Sequence, residues 1–240
     1  LPPATKDAPF VNSLGMKFVP VPGTKILMCT TETTVDQFKA SGLEYKPPFF
    51  RQQGNHPAVQ LTKATVARWC QWASQKEGLV YRLPTDREWS AAAGRGKYPW
   101  GNDWPPVSIV ENVAGQEMRS GNWAEIAMKH GASFGTLVGG YTDRHVYTAP
   151  VASYSPNHLG IYDLGGNVTE WVSDMDDDAF GTFSKPSGKG WHAISRGGTW
   201  VVGGPNVLRS DFRMRHMTGF LAGNNEGNAS IGFRVVIEKS

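Results

Sequence analysis

Cysteine is scarce in this sequence: Cys29 and Cys70 are the two thiols in 240 residues. So few exclude a disulfide-dense scaffold and a multi-thiolate metal cluster. Cys29 follows the apolar "KILM" and Cys70 lies in a helical pattern, so both are expected to be buried thiols. A disulfide between them is the alternative, because sequence does not set their separation. Charge of one sign is lacking as well. Lys plus Arg number 24 against 21 Asp plus Glu, a net charge of +3, too weak a field for a nucleic-acid partner or an anionic membrane surface. No apolar run approaches the roughly 20 residues that cross a bilayer. The six histidines have no partners at metal-ligand spacing and are expected in loops or at the surface. An initiator Met is missing too. The opening "LPPATKDAP" is expected to be a linker, residues 1–9, left after removal of an export signal or an upstream domain, and the protein is expected to be exported or at a bacterial cell surface.

What the sequence has in abundance is turn chemistry: 28 Gly and 16 Pro, with 9 Trp to fill a core. That composition favours a loop-rich α+β fold over a helical bundle. The chain is long enough for one substantial core, so residues 10–240 are expected to form a single domain. "MKFVPVPG" alternates into a turn at Gly23 and "KILMCTTETT" reads as its hairpin partner. Between Thr62 and Glu77, Val66, Trp69, Cys70 and Ala73 fall on one face at helical spacing, with Gly78 as the stop. In "RLPTDREWSAAAGRG", Thr85 and Glu88 form a capping box, Trp89, Ala92 and Ala93 a buried stripe, and Gly94 the end. From Tyr98 onward Gly, Pro, Asn and Asp recur every few residues, which predicts loops through the middle of the chain. The closing "IGFRVVIEKS" alternates as a strand and is expected to pair with the first strand.

Four segments in order, "NSLGMKFVPVPG", "YRLPTDREWSAAAG" with "YPWGN", "TAPVASYSPNHLGIYDLGGNVTEWVSD", and "SRGGTW" with "IGFRVV", resemble the sulfatase-modifying-factor family of formylglycine-generating enzymes. The resemblance runs from about Phe10 to Ile237. It implies a C-type lectin-like fold with two helices, small twisted antiparallel sheets and long ordered loops. It also implies oxidation of a peptide cysteine at a copper ion held by two cysteines shortly after the "GG-S/T-aromatic" turn. Here those positions are Val202 and Val207, and valine offers no lone pair to copper, so no copper is expected. The resemblance further implies calcium, held by Asp163, Gly166, Val168 and Glu170 in "YDLGGNVTEW", and at a second place by Asn122, Trp123, Asp143 and His145. Hard oxygen donors on a glycine-bent loop suit that ion.

The sequons at Asn167 and Asn228 are read as loop chemistry, and "DMDDD" at 174–178 as a solvated acidic loop. The segment from about Trp191 to Asn228 also resembles the variable proteins of diversity-generating retroelements, which carry a diversified stretch between fixed brackets. Here "RGGTW" and "IGFRVV" would be the brackets. Its mixture of aromatic, cationic and acidic side chains suits a contact surface. The residues expected to carry it are Trp200, Val201, Val202, Leu208, Asp211, Arg213, Arg215, His216, Met217, Phe220, Leu221 and Asn224, with about half of the apolar ones expected to be core. The leading expectation is a non-catalytic, monomeric protein that binds a protein, peptide or other surface ligand. A peptide-modifying oxidoreductase of altered chemistry and a recognition domain of a larger kinase-type protein are the alternatives.

Overall fold

The computed structural model describes residues 1–120, 137–176, 192–217 and 228–238. Two small sheets and three α-helices frame it. Strands β1 (Phe10–Val11), β2 (Lys17–Pro20), β3 (Ile26–Cys29), β4 (Val80–Arg82) and β9 (Val236–Glu238) form one sheet in the order β1-β2-β3-β9-β4. The hairpin expected at the start is β2 against β3, with Phe18 opposite Cys29.

This sheet is covered on both faces, which follows from strict alternation along its strands. Phe18, Leu27, Cys29 and Ile237 point into one cluster with Val66, Trp69 and Ala73. Val19, Ile26, Met28 and Val236 point into another with Trp89 and Ala92. Helix α2 (Lys63–Glu77) supplies the first covering. Thr62 Oγ1 accepts the Thr65 N–H at its start, and Gly78, at φ 67°, ends it in the left-handed conformation that glycine adopts without strain. Helix α3 (Asp86–Ala93) supplies the second, opened by the Thr85–Glu88 capping box.

A third, five-residue helix, α1 (Val35–Lys39), also opens on a capping box, formed by Thr34 and Gln37. No periodicity in the sequence announces it, because one turn is too short to show any. Trp69 Nε1–H donates to the Gln37 carbonyl at 3.1 Å and so ties α1 to α2.

The second sheet has the order β7-β6-β5-β8, from β5 (Thr169–Asp176), β6 (His192–Arg196), β7 (Arg213–Met217) and β8 (Ile231–Gly232). Here the structure corrects the expected C-terminal pairing. "IGFRVVIE" is two strands: β8 runs parallel to β5, and β9 inserts between β3 and β4. The three residues between them, Phe233, Arg234 and Val235, are fully buried, so the chain changes sheets through the core. Cys29 and Cys70 are free and buried. From Gly94 to Val168 the described chain has no α-helix and no named strand, and the 3-10 turn Gln116–Ser120 lies within it.

Candidate functional site

The C-terminal segment leaves β6 through Gly197 and Gly198 and crosses the turn at Gly165 and Gly166. A Cβ on Gly198 would lie 2.1 Å from the Gly165 carbonyl oxygen, and one on Gly166 would lie 2.4 Å from that of Asn112. Two glycine pairs are therefore what lets these loops touch. The crossing is locked by the Trp200 N–H, which donates to the Asn167 carbonyl at 2.8 Å.

Beyond it the segment divides. Trp200, Val201, Val202 and Leu208 are buried in a cluster with Tyr98, Val113 and Ala114. These four expected surface residues therefore form its floor. Pro205, Asn206 and Asp211 stand exposed, and Arg209, Phe212, Arg213, Met214 and Arg215 are half-buried. Arg209 forks Asp211 with both bonds at 2.7 Å. Arg213 reaches down to Asp86 Oδ2 at 2.7 Å, and the buried Arg196 takes the other Asp86 oxygen and the Ser210 and Phe212 carbonyls. Asp86, at the start of α3, thus anchors the segment. Val207 is half-buried. Phe220, Leu221 and Asn224 lie outside the described residues, and Met217 ends β7.

His216 departs from the expected surface position. Its Nε2 is 2.8 Å from Ser195 Oγ, and its ring meets Trp171 edge-on at 4.7 Å. Burial, with Lys63 nearby, pushes the imidazole down to about 4, so it is neutral at physiological pH. Ser195 is fully buried, and the serine–histidine contact ties β7 to β6.

The turn expected to hold calcium is built around charge of a different kind. Both carboxylate oxygens of Glu170 face the Arg234 guanidinium, at 2.6–3.1 Å, and one also accepts the Trp89 indole N–H at 2.9 Å. Asp163 Oδ2 accepts the Ala152 N–H at 2.7 Å, while its Oδ1 is buried without a hydrogen bond. The orphaned oxygen suits a cation, but Glu170 is already neutralised, so Asp163, Gly166, Val168 and Glu170 do not present the open cage of six to eight oxygens that calcium takes. At the second expected place, Asp143 spends its oxygens on the Val113 and His145 N–H groups, both at 2.8 Å. Burial still pushes its carboxyl up to about 7. Asn122 and Trp123 lie outside the described residues. Among the described residues no group of three or more His, Cys, Asp or Glu is arranged to hold a metal. The expected outcome of chelation is a melting temperature within about 1 °C of the calcium-supplemented protein, measured by tryptophan fluorescence. A rise of several degrees on adding calcium would mean that a cation enters at the turn.

Glu32, Glu111 and Arg234 complete this interior. Glu32 accepts the Asn167 side-chain N–H at 2.7 Å and the Val168 N–H at 3.1 Å. Glu111 accepts the Gly165 N–H at 2.9 Å and leaves Oε2 without a partner. Arg234 lies against this cluster. Burial, then Asp163, pushes both glutamic acids well above the usual carboxylate range, and burial lifts Asp163 to about 6. Asn167 is held on all sides by this network, and Asn228 Oδ1 accepts from Ser230. Asn167 and Asn228 both lie in loops. The signal available in sequence was a lone glutamate inside an otherwise uncharged run, "CTTETT" and "SIVENV".

Two small sheets joined by long, ordered loops, with glycine pairs where those loops cross, define a C-type lectin-like scaffold of the formylglycine-generating-enzyme type. Residues 7–239 match the Sulfatase-modifying factor enzyme 1-like domain, and the chain belongs to that family. It is 30% identical over 162 residues to the formylglycine-generating enzyme of Thermomonospora curvata, covering 64% of this chain and 46% of the relative. It is 30% identical over 188 residues to the serine/threonine-protein kinase pkn1 of Chlamydia pneumoniae, covering 75% and 23%. It is 29% identical over 156 residues to the inactive C-alpha-formylglycine-generating enzyme 2 of Mus musculus, covering 63% and 40%. The chain thus spans less than half the length of these relatives. Among solved structures, PvdO from Pseudomonas aeruginosa superposes with a TM-score of 0.65 at 23% identity, over 89% of this chain and 80% of that one. Treponema denticola variable protein 1 superposes at 0.58 and 20% identity, over 89% and 84%.

Proposed function

We propose that this protein is a non-catalytic binding module, which presents the segment around residues 205–215 to a protein, peptide or other surface ligand. One observation carries the reading: at the two positions where the family resemblance places copper-binding cysteines stand Val202 and Val207, one buried and one half-buried. Hydrocarbon there offers no ligand to copper. The protein's own thiols do not substitute, because Cys29 and Cys70 belong to the other cluster, around Trp69 and Phe233. Burial raises both thiols, Cys70 to about 12, so neither is a ready thiolate. The crest over this floor carries Asp211, Arg209, Phe212 and Arg215, the mix of forked cations, carboxylate and aromatic that anchors interfaces. The similarity to an inactive relative and to a variable protein supports the same reading.

The test is incubation with copper(I), dioxygen and a cysteine-containing sulfatase peptide, followed by mass spectrometry. The expected result is an unmodified peptide and no tightly bound copper. Conversion of the cysteine to an aldehyde would end the proposal. The similarity to a kinase over 75% of this chain but 23% of that relative favours one variant, in which the same surface serves as a recognition domain of a larger protein.

A further inference from the structure

Two indoles stand side by side in the loop that follows α3. Trp100 and Trp104 have ring centres 6.5 Å apart and planes tilted by 32°. Behind both lies Tyr98, fully buried, parallel to Trp100 at 4.9 Å and tilted against Trp104 at 5.4 Å. The tyrosine takes the inner side of the pair. Both tryptophans are half-buried, so what they keep in contact with water is their outer side. The chain runs on through the exposed Pro105 to Val107 and Ile109, which are 87% and 44% exposed. Val107 is three residues from Trp104 and so within about 10 Å of it along the chain. Indole, proline and branched aliphatic side chains thus share one apolar patch, and a valine left almost wholly in water contributes nothing to the core.

The polar groups of the patch are few, and two of them are unspent. The Trp100 indole N–H donates to the Asp103 carbonyl at 3.2 Å. That of Trp104 has no acceptor among the described residues and is not shut away from solvent. Asp103 is exposed, and its carboxylate makes no hydrogen bond or ion pair among the described residues. On the other side, Lys97 Nζ lies 5.3 Å from the centre of the Tyr98 ring. The surface therefore offers one donor beside two ring faces, a carboxylate at one end and a cation at the other. A sugar stacked here would set its hydroxyls against proline and valine, where they lose their hydrogen bonds.

We propose that Trp100 and Trp104 dock a proline-rich segment of a partner protein in the polyproline II conformation, with a basic side chain of that segment paired to Asp103. Such a segment arrives already ordered and has no internal hydrogen bonds, so its carbonyls are free to accept. One of them takes the Trp104 N–H. Two prolines separated by one residue lie about 6 Å apart along that helix, close to the 6.5 Å between the ring centres. The charges set the direction: Asp103 attracts the basic residue and Lys97 repels it, so it belongs at the Asp103 end. Exposure keeps that pair weak, and the rings carry most of the affinity. The patch borders the 205–215 segment, because the Ser210 N–H donates to the Lys97 carbonyl at 2.9 Å. It includes none of that segment's residues, so it stands or falls on its own test.

Fluorescence anisotropy with dye-labelled peptides tests the assignment on the native protein. The probe is an oligoproline of about ten residues with one terminal arginine, and the control has glycine and serine in place of its prolines. The proline peptide is expected to bind about tenfold or more tightly than the control, which must lose chain entropy to dock. Glutamate in place of its arginine should weaken it about threefold, and that difference should fade in about 0.5 M salt. Trp104→Phe keeps an aromatic ring and removes the donor, and should cost about fivefold, the size of one hydrogen bond. Equal affinity for the two peptides, or no binding of the oligoproline, would overturn the proposal. Binding of maltoheptaose in place of the peptide would make the indoles a sugar platform and overturn it as well. The two-peptide comparison needs no variant, so it decides the matter even where Trp104→Phe lowers the melting temperature.

Discussion

Replacing Arg234 with Met is expected to lower the unfolding free energy by about 3–5 kcal/mol, the cost of leaving buried charge without its partner. For a chain of this length that is a fall of roughly 10 °C in melting temperature. The guanidinium is fully buried and spends its donors on Glu170, the Cys29 carbonyl at 3.1 Å and the Tyr162 carbonyl at 2.8 Å. It is also the positive charge that pulls down Glu32, Glu111 and Asp163. Without it those carboxyls hold protons to still higher pH in the folded state than in the unfolded one. A folded state that binds more protons than the unfolded state loses stability as pH rises. The deficit of Arg234→Met should therefore be larger at pH 8 than at pH 5 in urea titrations. Glu170→Met combined with Arg234→Met should recover part of the loss, because both ends of the pair then leave together. A deficit below about 1 kcal/mol at both pH values would show that the carboxylates have another source of compensation.

Helix α3 was legible residue by residue, since Thr85, Glu88 and Gly94 act on backbone groups within a few positions of themselves. Helix α2 was legible for the same reason. Glu32, Glu111, Glu170 and Arg234 meet from four distant parts of the chain, and a lone glutamate in an uncharged run does not say which distant groups it will be buried against. The same limit governs the C-terminal strands. The alternation in "IGFRVVIE" announces extended chain, but it does not say that β8 will lie parallel to β5 or that β9 will separate β3 from β4. Within 200–216 the residue types were equally ambiguous. Trp200 and Phe212 are both large and aromatic, yet one is buried and the other half-exposed, and the difference is set by the loop crossing at Gly165 and Gly198. Nothing in the sequence marks His216 as buried, because its partners, Ser195 and Trp171, lie one and two strands away.

Trp200→Ala should cost about 3–5 kcal/mol, the range for emptying a large aromatic site in a core. The indole is 1% exposed. It meets Phe50 edge-on at 5.5 Å and Tyr147 at 5.3 Å, and its N–H donates to the Ala229 carbonyl at 3.3 Å. Phe50 and Tyr147 are themselves stacked at 4.6 Å, so the missing ring removes the piece against which both pack, and the surrounding loops collapse into the space incompletely. The informative comparison is with Asp211→Ala, which removes an ion pair whose side chains are 38% and 63% exposed. Exposed pairs of this kind contribute between zero and about 1 kcal/mol. If the segment is a display surface on a packed floor, the two substitutions separate cleanly in thermal melts: the floor residue lowers the melting temperature by roughly 10 °C, and the crest residue leaves it nearly unchanged. A ligand found for this surface should then lose affinity with Asp211→Ala at constant stability. Equal and small effects on stability from both would place Trp200 at the surface instead, contrary to the burial that the crossing of the two glycine turns imposes.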